Sequence, residues 1–215
     1  MSRSEVEPAS PRTTLPPSQA ARASGYCSAT NCRATATASS STITPVSGGV
    51  LPRSHRVSDP GGGRVMLLGV GKNWQTKRLT LESATAADVG DLLAVLDEAA
   101  AWLRATGIEQ WPERFESAWV EPAIEAGETW LARLDGVVAG TITLDWDDPL
   151  WSDVGGRAGY VHRMAVSRSA PGLGAALLDW SAATAAALGC PHLRLDCVTS
   201  NHRLRTYYES RGFHH

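Results

Sequence analysis

The sequence predicts a mixed α/β fold, and three observations support this prediction. After about residue 76, short runs with the alternation of strands are interleaved with longer runs of helical spacing, in the order β, α, α, β, β, β, α, β, α. Asp135-Gly136 joins two strand-like runs and predicts a hairpin. An Ala-rich helical run separates the last two long strand-like runs, and such a crossover lets these strands lie parallel. We therefore expect a mixed sheet with flanking helices.

Residues 1–75 differ from the rest of the chain in charge and composition. They hold eight Lys or Arg against three Asp or Glu, a net charge of +5, whereas the remainder has twelve against nineteen, a net charge of −7. Seven of the eight Trp and both Phe follow residue 75, so the first part has too few aromatic side chains to bury a core. We expect a disordered, basic, low-complexity tail over 1–75 and one globular domain over 76–215. A translation start at Met66 and a weak tether for nucleic acid or an acidic surface are the alternative interpretations of the tail.

Several classes of protein are disfavoured by the sequence. No apolar run approaches the roughly 18 residues of a membrane helix, and no secretory segment follows Met1. These observations predict a cytoplasmic protein with no membrane partner. The four cysteines do not make a disulfide scaffold. Cys27 and Cys32 have a spacing that suggests a metal site, but no further Cys or His ligands cluster near them, so we expect free thiols and no metal.

The first half of the domain is predicted to begin with a strand and a helix. Residues 78–82 alternate as a short strand does, and Thr85 stands three residues before Asp88, which is the spacing of a helix cap. Apolar residues keep helical spacing from there to a stop at Gly107. A second helix and two strands are expected next, over about 113–125, 129–134 and 137–145.

The second half of the domain is predicted to contain the crossover. A loop rich in Asp, Trp and Gly over 146–157 precedes a strand over 160–166. A turn ending in Gly172-Leu173-Gly174 then opens the Ala-rich helix, which stops at Gly189. A strand and a helix are expected last, over 192–198 and about 201–211.

The turn at Gly172 and Gly174 predicts an anion site. Amide N–H groups at a helix start have no intrahelical partner, and such an end binds phosphate groups. Glycine lets the backbone approach a bulky diphosphate. The turn lacks the third glycine of the dinucleotide motif and the lysine of a phosphate loop. A nucleotide-binding module and a plain tight turn into a core helix are therefore alternative interpretations.

Two separated blocks of sequence resemble the GNAT superfamily of acyl-CoA-dependent N-acyltransferases. The strand, glycine turn and helix over 160–180 resemble its cofactor motif, and 201–213 resembles its closing pattern NxxAxxLYExxGF. Upstream, 107–111 and 127–144 resemble a bacterial branch of the superfamily. The resemblance covers nearly everything after residue 76. It implies a GNAT-like mixed sheet with splayed central parallel strands and flanking helices.

The sequence departs from the superfamily pattern in two places. With Gly172 and Gly174 on the family's glycine positions, Ser169 stands where the family has Arg or Gln, with Arg168 beside it, and the loop before the turn is about two residues shorter. A shifted frame puts Pro171 at that position instead. The sequence also ends two residues after its Gly-Phe pair, where family members continue into a strand hairpin. The resemblance therefore implies a C-terminally truncated domain with a bare sheet edge and an incomplete acceptor wall.

The resemblance implies that acetyl-CoA lies as a cosubstrate between the splayed strands and that an amine attacks its thioester directly. Main-chain groups of the first of these strands would pair with the pantetheine, and amides of the turn would bind the diphosphate. Positioning supplies about 7 to 11 kcal/mol at best in such a reaction, so only two proton transfers have to be added. The residues implied in cofactor binding are Met164, Ala165, Val166, Arg168, Ser169, Gly172, Leu173, Gly174, Ala175 and Asn201. Capping of the last helix is the alternative role for Asn201.

Three side chains are candidates for the proton transfers. Tyr208 matches the tyrosine of the closing motif and is the candidate acid for the departing thiolate, with a packing role, which is expected of Tyr207, as its alternative. His162 on the cofactor strand is a candidate base near neutral pH, or a structural histidine. Asp196 on the adjacent strand is the other candidate base, and a surface pair with Arg194 is its alternative.

The acceptor site is expected beside the predicted first helix. Glu109, Gln110 and Trp111 are the candidate substrate-binding residues, with ordinary packing as the alternative for Trp111. Glu109 is also a candidate for holding a water or the ammonium group. The charge of −7 on the domain favours a cationic amine and opposes nucleic-acid binding. We therefore expect an N-acetyltransferase for a small-molecule or peptide amine, with the acceptor and the oligomeric state open. The alternative is a catalytically impaired module of the same fold that binds CoA or a protein partner.

Overall fold

The computed structural model describes residues 31–38, 64–67 and 78–215. The strands are β1 Asn31–Thr37, β2 Arg64–Leu67, β3 Leu79–Ser83, β4 Thr129–Leu134, β5 Val137–Asp145, β6 Ala158–Val166 and β7 His192–Val198. The helices are α1 Val89–Ala105, α2 Glu121–Glu125, α3 Leu173–Ala187 and α4 His202–Ser210. The strands form one sheet in the order β1-β7-β6-β5-β4-β3-β2. Since β6 and β7 are parallel and the other pairs are antiparallel, the predicted mixed α/β fold is confirmed.

Helices cover both faces of the sheet. Leu92 and Leu96 of α1 are buried against one face together with Leu131 of β4. On the other face, α3 packs against the central strands, and the ring of its Trp180 lies 5.0 Å from that of Trp130. Burial of these apolar side chains is the main driving force for closing the two layers. Among the described residues, no helix combines the length and the apolar character needed to cross a membrane.

The two parallel strands separate partway along their length. The Cα pairing of β6 with β7 ends at Val161 and Leu195. Beyond it, β6 continues over residues 162–166 and β7 over 196–198 without pairing to each other. The splay that the resemblance implies is therefore present, and it leaves a gap in the middle of the sheet.

Two segments of the expected tail are strands in the structure. β1 pairs with β7 along its whole length, from Asn31 opposite Val198 to Thr37 opposite His192, and β2 pairs with β3. Ala34 of β1 is 1% exposed, so the strand contributes to the core. The prediction of disorder is wrong for these segments because an unpaired edge of β7 supplies backbone partners that the composition of residues 1–75 does not reveal. The rest of 1–75 lies outside the described residues, and there disorder stays a prediction.

The edge of β7 is covered by β1, and the expectation of a bare edge there is wrong. Thr35 and His214 exchange two backbone hydrogen bonds of 2.9 Å, so the residues after α4 pair with the outer side of β1. Arg33 adds a side-chain hydrogen bond of 2.9 Å from Nη2 to Asp153 Oδ2. The expectation fails because it considers only strands that follow α4, whereas the covering strand precedes the domain.

The second predicted helix is shorter than expected. Helical structure over 113–125 is limited to a 3₁₀ turn, Ser117–Trp119, and the five residues of α2. Asp97 of α1 accepts a hydrogen bond of 2.9 Å from the Phe115 amide and holds the preceding stretch against α1 instead. Pro122 lies in the first turn of α2, where its missing N–H costs nothing.

Candidate active site

A cavity of about 550 Å³ lies where β6 and β7 separate. Its lining combines β6 over 162–166, β7 over 196–198, the C-terminal half of α1, the start of α3 and parts of α4. The gap between the strands therefore opens into a pocket that both helical layers border. A pocket of this size and position suits an elongated ligand laid along β6.

A bulge in β6 shapes the wall of this cavity. Thr143 pairs with His162 and Thr141 with Ala165, so two residues of β6 stand opposite one residue of β5. One of them, Arg163, has a φ of 46°, which is uncommon for a residue with a side chain. Such a bulge bends the strand and takes backbone groups out of the ladder. In this chain the bulged residues line the cavity.

The glycine turn presents free amides to the same cavity. Gly172 has a φ of 91° and caps the N-terminus of α3. The amides of Gly172 and Gly174 donate to no backbone carbonyl within the described part of the chain, whereas those of Leu173 and Ala175 are bonded to Ala170 and Gly172. Pro171 has no amide to offer. Two unpaired N–H groups at the positive end of α3 therefore form the part of the lining that fits a diphosphate.

The residues predicted to bind the cofactor fall into two groups. Leu173 is fully buried in the core, Ser169 lies outside the lining, and Asn201 is 5% exposed. Asn201 caps α4 by accepting the Leu204 amide at 3.1 Å and also donates to Gln110 at 3.0 Å, so its side chain is occupied by the protein. The predicted residues that line the cavity are Met164, Ala165, Val166, Arg168, Gly172, Gly174 and Ala175.

Arg168 lies against an aromatic ring that the sequence analysis does not single out. Its guanidinium carbon is 4.4 Å from the ring centroid of Trp102 on α1, and that of Arg203 on α4 is 5.8 Å from the same ring. All three residues line the cavity. Two cations at one wall favour an anionic ligand, and the stacked ring holds them in place. Helical spacing alone gives Trp102 as an ordinary helix residue, and no local signal connects it to the arginines.

Tyr208 lines the cavity from α4 and is 6% exposed. Its ring lies 5.7 Å from that of Phe213 and 5.7 Å from that of Tyr207. Burial raises the pKa of the Tyr208 phenol far above its usual value of 10.0, and the nearby Cys197, Tyr207 and Asp196 raise it further. The phenol is thus protonated over the whole working range of pH and suits a donor rather than a base.

His162 is surrounded by carboxylates. It is 8% exposed, and its Nε2 lies 3.3 Å from Asp145 Oδ2 and 3.7 Å from Asp148 Oδ2. Burial lowers the pKa of His162, but the Asp145 hydrogen bond and the charges of Asp145 and Asp148 outweigh this effect, so the pKa is raised above 6.5. Burial also raises the pKa values of Asp148 and Glu128. His162 lines the cavity, and its carboxylate partners, which sequence reasoning missed, stabilise the imidazolium form.

Asp196 lines the cavity beside a residue of the N-terminal strand. Asn31, the first residue of β1, donates a hydrogen bond of 2.7 Å from Nδ2 to Asp196 Oδ2, and it too lines the cavity. Arg194 is not its surface partner: Arg194 is 2% exposed and bonds Tyr160 Oη at 3.0 Å and the Gly155 carbonyl at 2.6 Å. Strand alternation places Arg194 and Asp196 on one face correctly, but it does not show that the loop after β5 buries the guanidinium.

The predicted acceptor residues divide in the same way. Gln110 and Trp111 line the cavity, and the Trp111 ring packs edge-on against Phe115 at 5.5 Å. Glu109 is exposed and lies outside the lining. The structure therefore brings His162, Asp196, Tyr208, Gln110 and Trp111 to one cavity and leaves Glu109 apart.

Comparison with families of known proteins gives one match that spans most of the domain. The model of the acetyltransferase (GNAT) family matches residues 96–213. Among curated proteins, the Uncharacterized N-acetyltransferase YesJ of Bacillus subtilis (strain 168) is 31% identical over 137 residues, which is 59% of this chain and 76% of YesJ.

Solved structures show the same fold. A GNAT family acetyltransferase from Listeria monocytogenes 4b F2365 has a TM-score of 0.56 at 26% identity, covering 64% of this chain and 87% of that one. Another from Streptococcus agalactiae 2603 has a TM-score of 0.52 at 19% identity, covering 61% and 83%. The match at the lower identity is a likeness of fold.

Proposed function

The chain belongs to the acetyltransferase (GNAT) family, which makes it an acyl-CoA N-acyltransferase with acetyl-CoA as cosubstrate, and we propose that it acetylates a primary amine by direct attack. The acceptor is an amine on a small molecule or a peptide. The observation that carries this proposal is the cavity between the diverging β6 and β7, which reaches from the free amides of Gly172 and Gly174 to the His162 and Asp196 side chains.

The residues at the glycine turn fit the diphosphate of the cosubstrate. The amides of Gly172 and Gly174 have no backbone acceptor among the described residues, and the start of α3 adds its dipole. Arg168 and Arg203 bring two positive charges to the same cavity. Bound there, acetyl-CoA supplies the thioester that the amine attacks. Residues 164–166 lie in the part of β6 that does not pair with β7, and their main-chain groups would hold the pantetheine.

Tyr208 is the proposed acid. Its phenol is buried, lines the cavity and keeps its proton because burial raises its pKa. A sulfur that develops negative charge in a site of low polarity is a stronger proton acceptor than in water, which allows this weak acid to donate. Tyr207 packs beside the turn, with its hydroxyl 3.4 Å from the position a Cβ would take at Gly174.

His162 is the proposed base. In its neutral form it takes a proton from the attacking ammonium, and the resulting imidazolium is stabilised by the Asp145 carboxylate at 3.3 Å and the Asp148 carboxylate at 3.7 Å. Asp196 holds the ammonium by its charge before the proton leaves. Asp196 thus serves binding of the amine, whereas Asp145 and Asp148 support its deprotonation by His162.

The experiment follows free thiol while the protein is mixed with acetyl-CoA and a panel of primary amines. We expect release that depends on the amine and that falls about a hundredfold in Tyr208→Phe, the size usual for loss of one proton-transfer group. Tyr207→Phe is the matched comparison, since it removes the adjacent phenol from the same helix, and a smaller loss is expected. Calorimetry with CoA checks that both variants still bind it.

Two outcomes would contradict the proposal. If CoA binds but no amine in the panel releases thiol, the chain is the catalytically impaired module instead. If millimolar CoA gives neither heat nor a shift in melting temperature, the assignment of the glycine turn to the diphosphate is wrong.

A further inference from the structure

Two residues beside Asp196, Asn31 and Arg33, come from outside the region that the family model matches. β1 lies upstream of residues 96–213, which the family model matches, yet it pairs with β7 in a continuous antiparallel register. Arg33 is opposite Asp196, and Asn31 is opposite Val198. Residues directly opposite in such a pair point to the same face, so Asn31 is a diagonal neighbour of Asp196 on that face.

Asn31 has one polar group satisfied and one that is not. Its Nδ2 donates to Asp196 Oδ2 at 2.7 Å. Its Oδ1 is buried and has no hydrogen-bond partner among the residues that the structure describes. Because Nδ2 faces the carboxylate, Oδ1 is the acceptor left over, and Asn31 lines the cavity beside Asp196. A buried carbonyl oxygen without a donor is unfavourable, so a ligand that brings an N–H to it gains binding free energy.

We propose that Asn31 and Asp196 together bind the acceptor amine, with Asn31 Oδ1 accepting one of its N–H groups and the Asp196 carboxylate balancing its charge. A primary ammonium has three N–H groups. It can donate one to Asn31 Oδ1 and one to the Asp196 carboxylate, and still direct the third toward His162. This inference rests on the proposed acetyl transfer and adds the residues that recognise the acceptor. It makes the N-terminal strand a part of the substrate site.

The Asn31–Asp196 hydrogen bond also gives the site its orientation. The amide holds one carboxylate oxygen of Asp196 at 2.7 Å. A carboxylate fixed in this way meets the ammonium in one geometry, which lowers the ordering cost of binding. Trp111 lines the same cavity and offers an apolar face to the body of the acceptor.

The test compares Asn31→Ala with Arg33→Ala in the full chain. Both residues belong to β1 and point to the same face, but Arg33 bonds Asp153 and does not line the cavity. With the amine of the panel that has the lowest KM, we expect Asn31→Ala to raise the amine KM about tenfold or more and to leave the KM of acetyl-CoA unchanged. Arg33→Ala should lower the melting temperature slightly and leave both KM values unchanged.

A second readout separates recognition from strand docking. The unmodified protein should bind phenethylamine more tightly, as measured by calorimetry, than its N,N-dimethyl form, which has one N–H left when charged. In Asn31→Ala this preference should fall severalfold, because the oxygen that accepts the additional N–H of the primary ammonium is gone. Loss of structure alone would weaken both ligands equally.

The outcomes decide between the two levels of the proposal. An unchanged amine KM in Asn31→Ala, an equal rise in Arg33→Ala, or an unchanged preference for phenethylamine would overturn the role of Asn31 while acetyl transfer stands. If no amine is acetylated, the calorimetric comparison still applies: loss of the preference in Asn31→Ala supports the binding site, and failure of every amine in the panel to bind the unmodified protein refutes it.

Discussion

The glycine turn and the β7–β1 border form two parts of one cavity, and they are built from different groups. At the turn, the free amides of Gly172 and Gly174 are backbone atoms that one short stretch of chain sets in place. At the border, the Asn31 and Asp196 side chains meet from strands 165 residues apart in sequence. The proposed cosubstrate site is therefore a local motif, whereas the proposed acceptor site depends on which distant segment completes the sheet.

The largest expected effect concerns the turn. Gly172→Ala forces a side chain into a φ of 91°, moves the cap of α3 and misplaces the free amides, so the KM of acetyl-CoA should rise about tenfold to a hundredfold while the amine KM changes little. Gly189→Ala is the control, because Gly189 has a φ of 71° just beyond the other end of α3 and does not line the cavity. Steady-state kinetics on both substrates measures the difference, and equal behaviour of the two variants would remove the turn's special role.

The next effect concerns the border. Ala34→Asp places a charge in a position that is 1% exposed, so β1 should leave β7 and the amine KM should rise about tenfold with the acetyl-CoA KM nearly constant. Thr37→Asp is the control, since Thr37 is an exposed residue of the same strand. A rise in the acetyl-CoA KM as large as that in the amine KM would show that β1 supports the whole cavity rather than its acceptor part.

A third prediction tests His162 as the base, independently of the glycine turn and the β7–β1 border. If neutral His162 is needed, kcat/KM rises with pH through the raised pKa of His162, at a pH above its ordinary value of 6.5. Asp145→Asn removes the charge 3.3 Å from Nε2 and should move this rise toward lower pH by about one unit. A pH–rate profile of the two proteins measures the shift, and identical profiles would exclude His162 as the base.

His162 and Asp145 also make the free energy of unfolding depend on pH. Because the pKa of His162 is raised in the folded protein, its contribution to the free energy of unfolding is complete below about pH 6.5 and is lost as the pH rises through the folded pKa. Asp145→Asn should flatten this loss. Melting temperatures across that window provide the measurement.

The smallest effect concerns the cations near the turn. Arg168→Ala removes one of the two guanidinium groups that lie against Trp102, so the KM of acetyl-CoA should rise about threefold, as expected for one partly exposed charge. Arg114→Ala is the control, because Arg114 is exposed and outside the lining. A change in the amine KM instead would place Arg168 with the acceptor part of the cavity.

The elements that short stretches of sequence determine could be predicted from the sequence. The strand, the turn at Gly172 and the helix that follows are adjacent in sequence, and the alternation and glycine spacing predict their order. The acid candidate, Tyr208, lies in a motif that the resemblance covers, and it does line the cavity. The assignment of its role stays a prediction.

The parts that depend on distant pairing were beyond the sequence. β1 consists of Asn, Cys, Arg, Ala and Thr. Its backbone pairs with the edge of β7, and its buried Ala34 adds only a small apolar side chain to the core. Neither feature stands out in a hydrophobic pattern. Asp145 ends a predicted strand and Asp148 lies in the predicted loop after it, and only the pairing of β5 with β6 brings the end of β5 to His162. Long-range contacts of this kind have no local signal.

The pairing of β1 with β7 also places two thiols opposite each other, Cys32 and Cys197. Cys32 is half-buried, whereas Cys197 is 2% exposed and burial raises its pKa to about 12. A buried thiol with a raised pKa barely reacts with alkylating reagents until β1, which lies beside β7 in the sheet, separates from it. The alkylation rate of Cys197, measured by mass spectrometry on the unaltered chain, therefore reports how often β1 separates from β7.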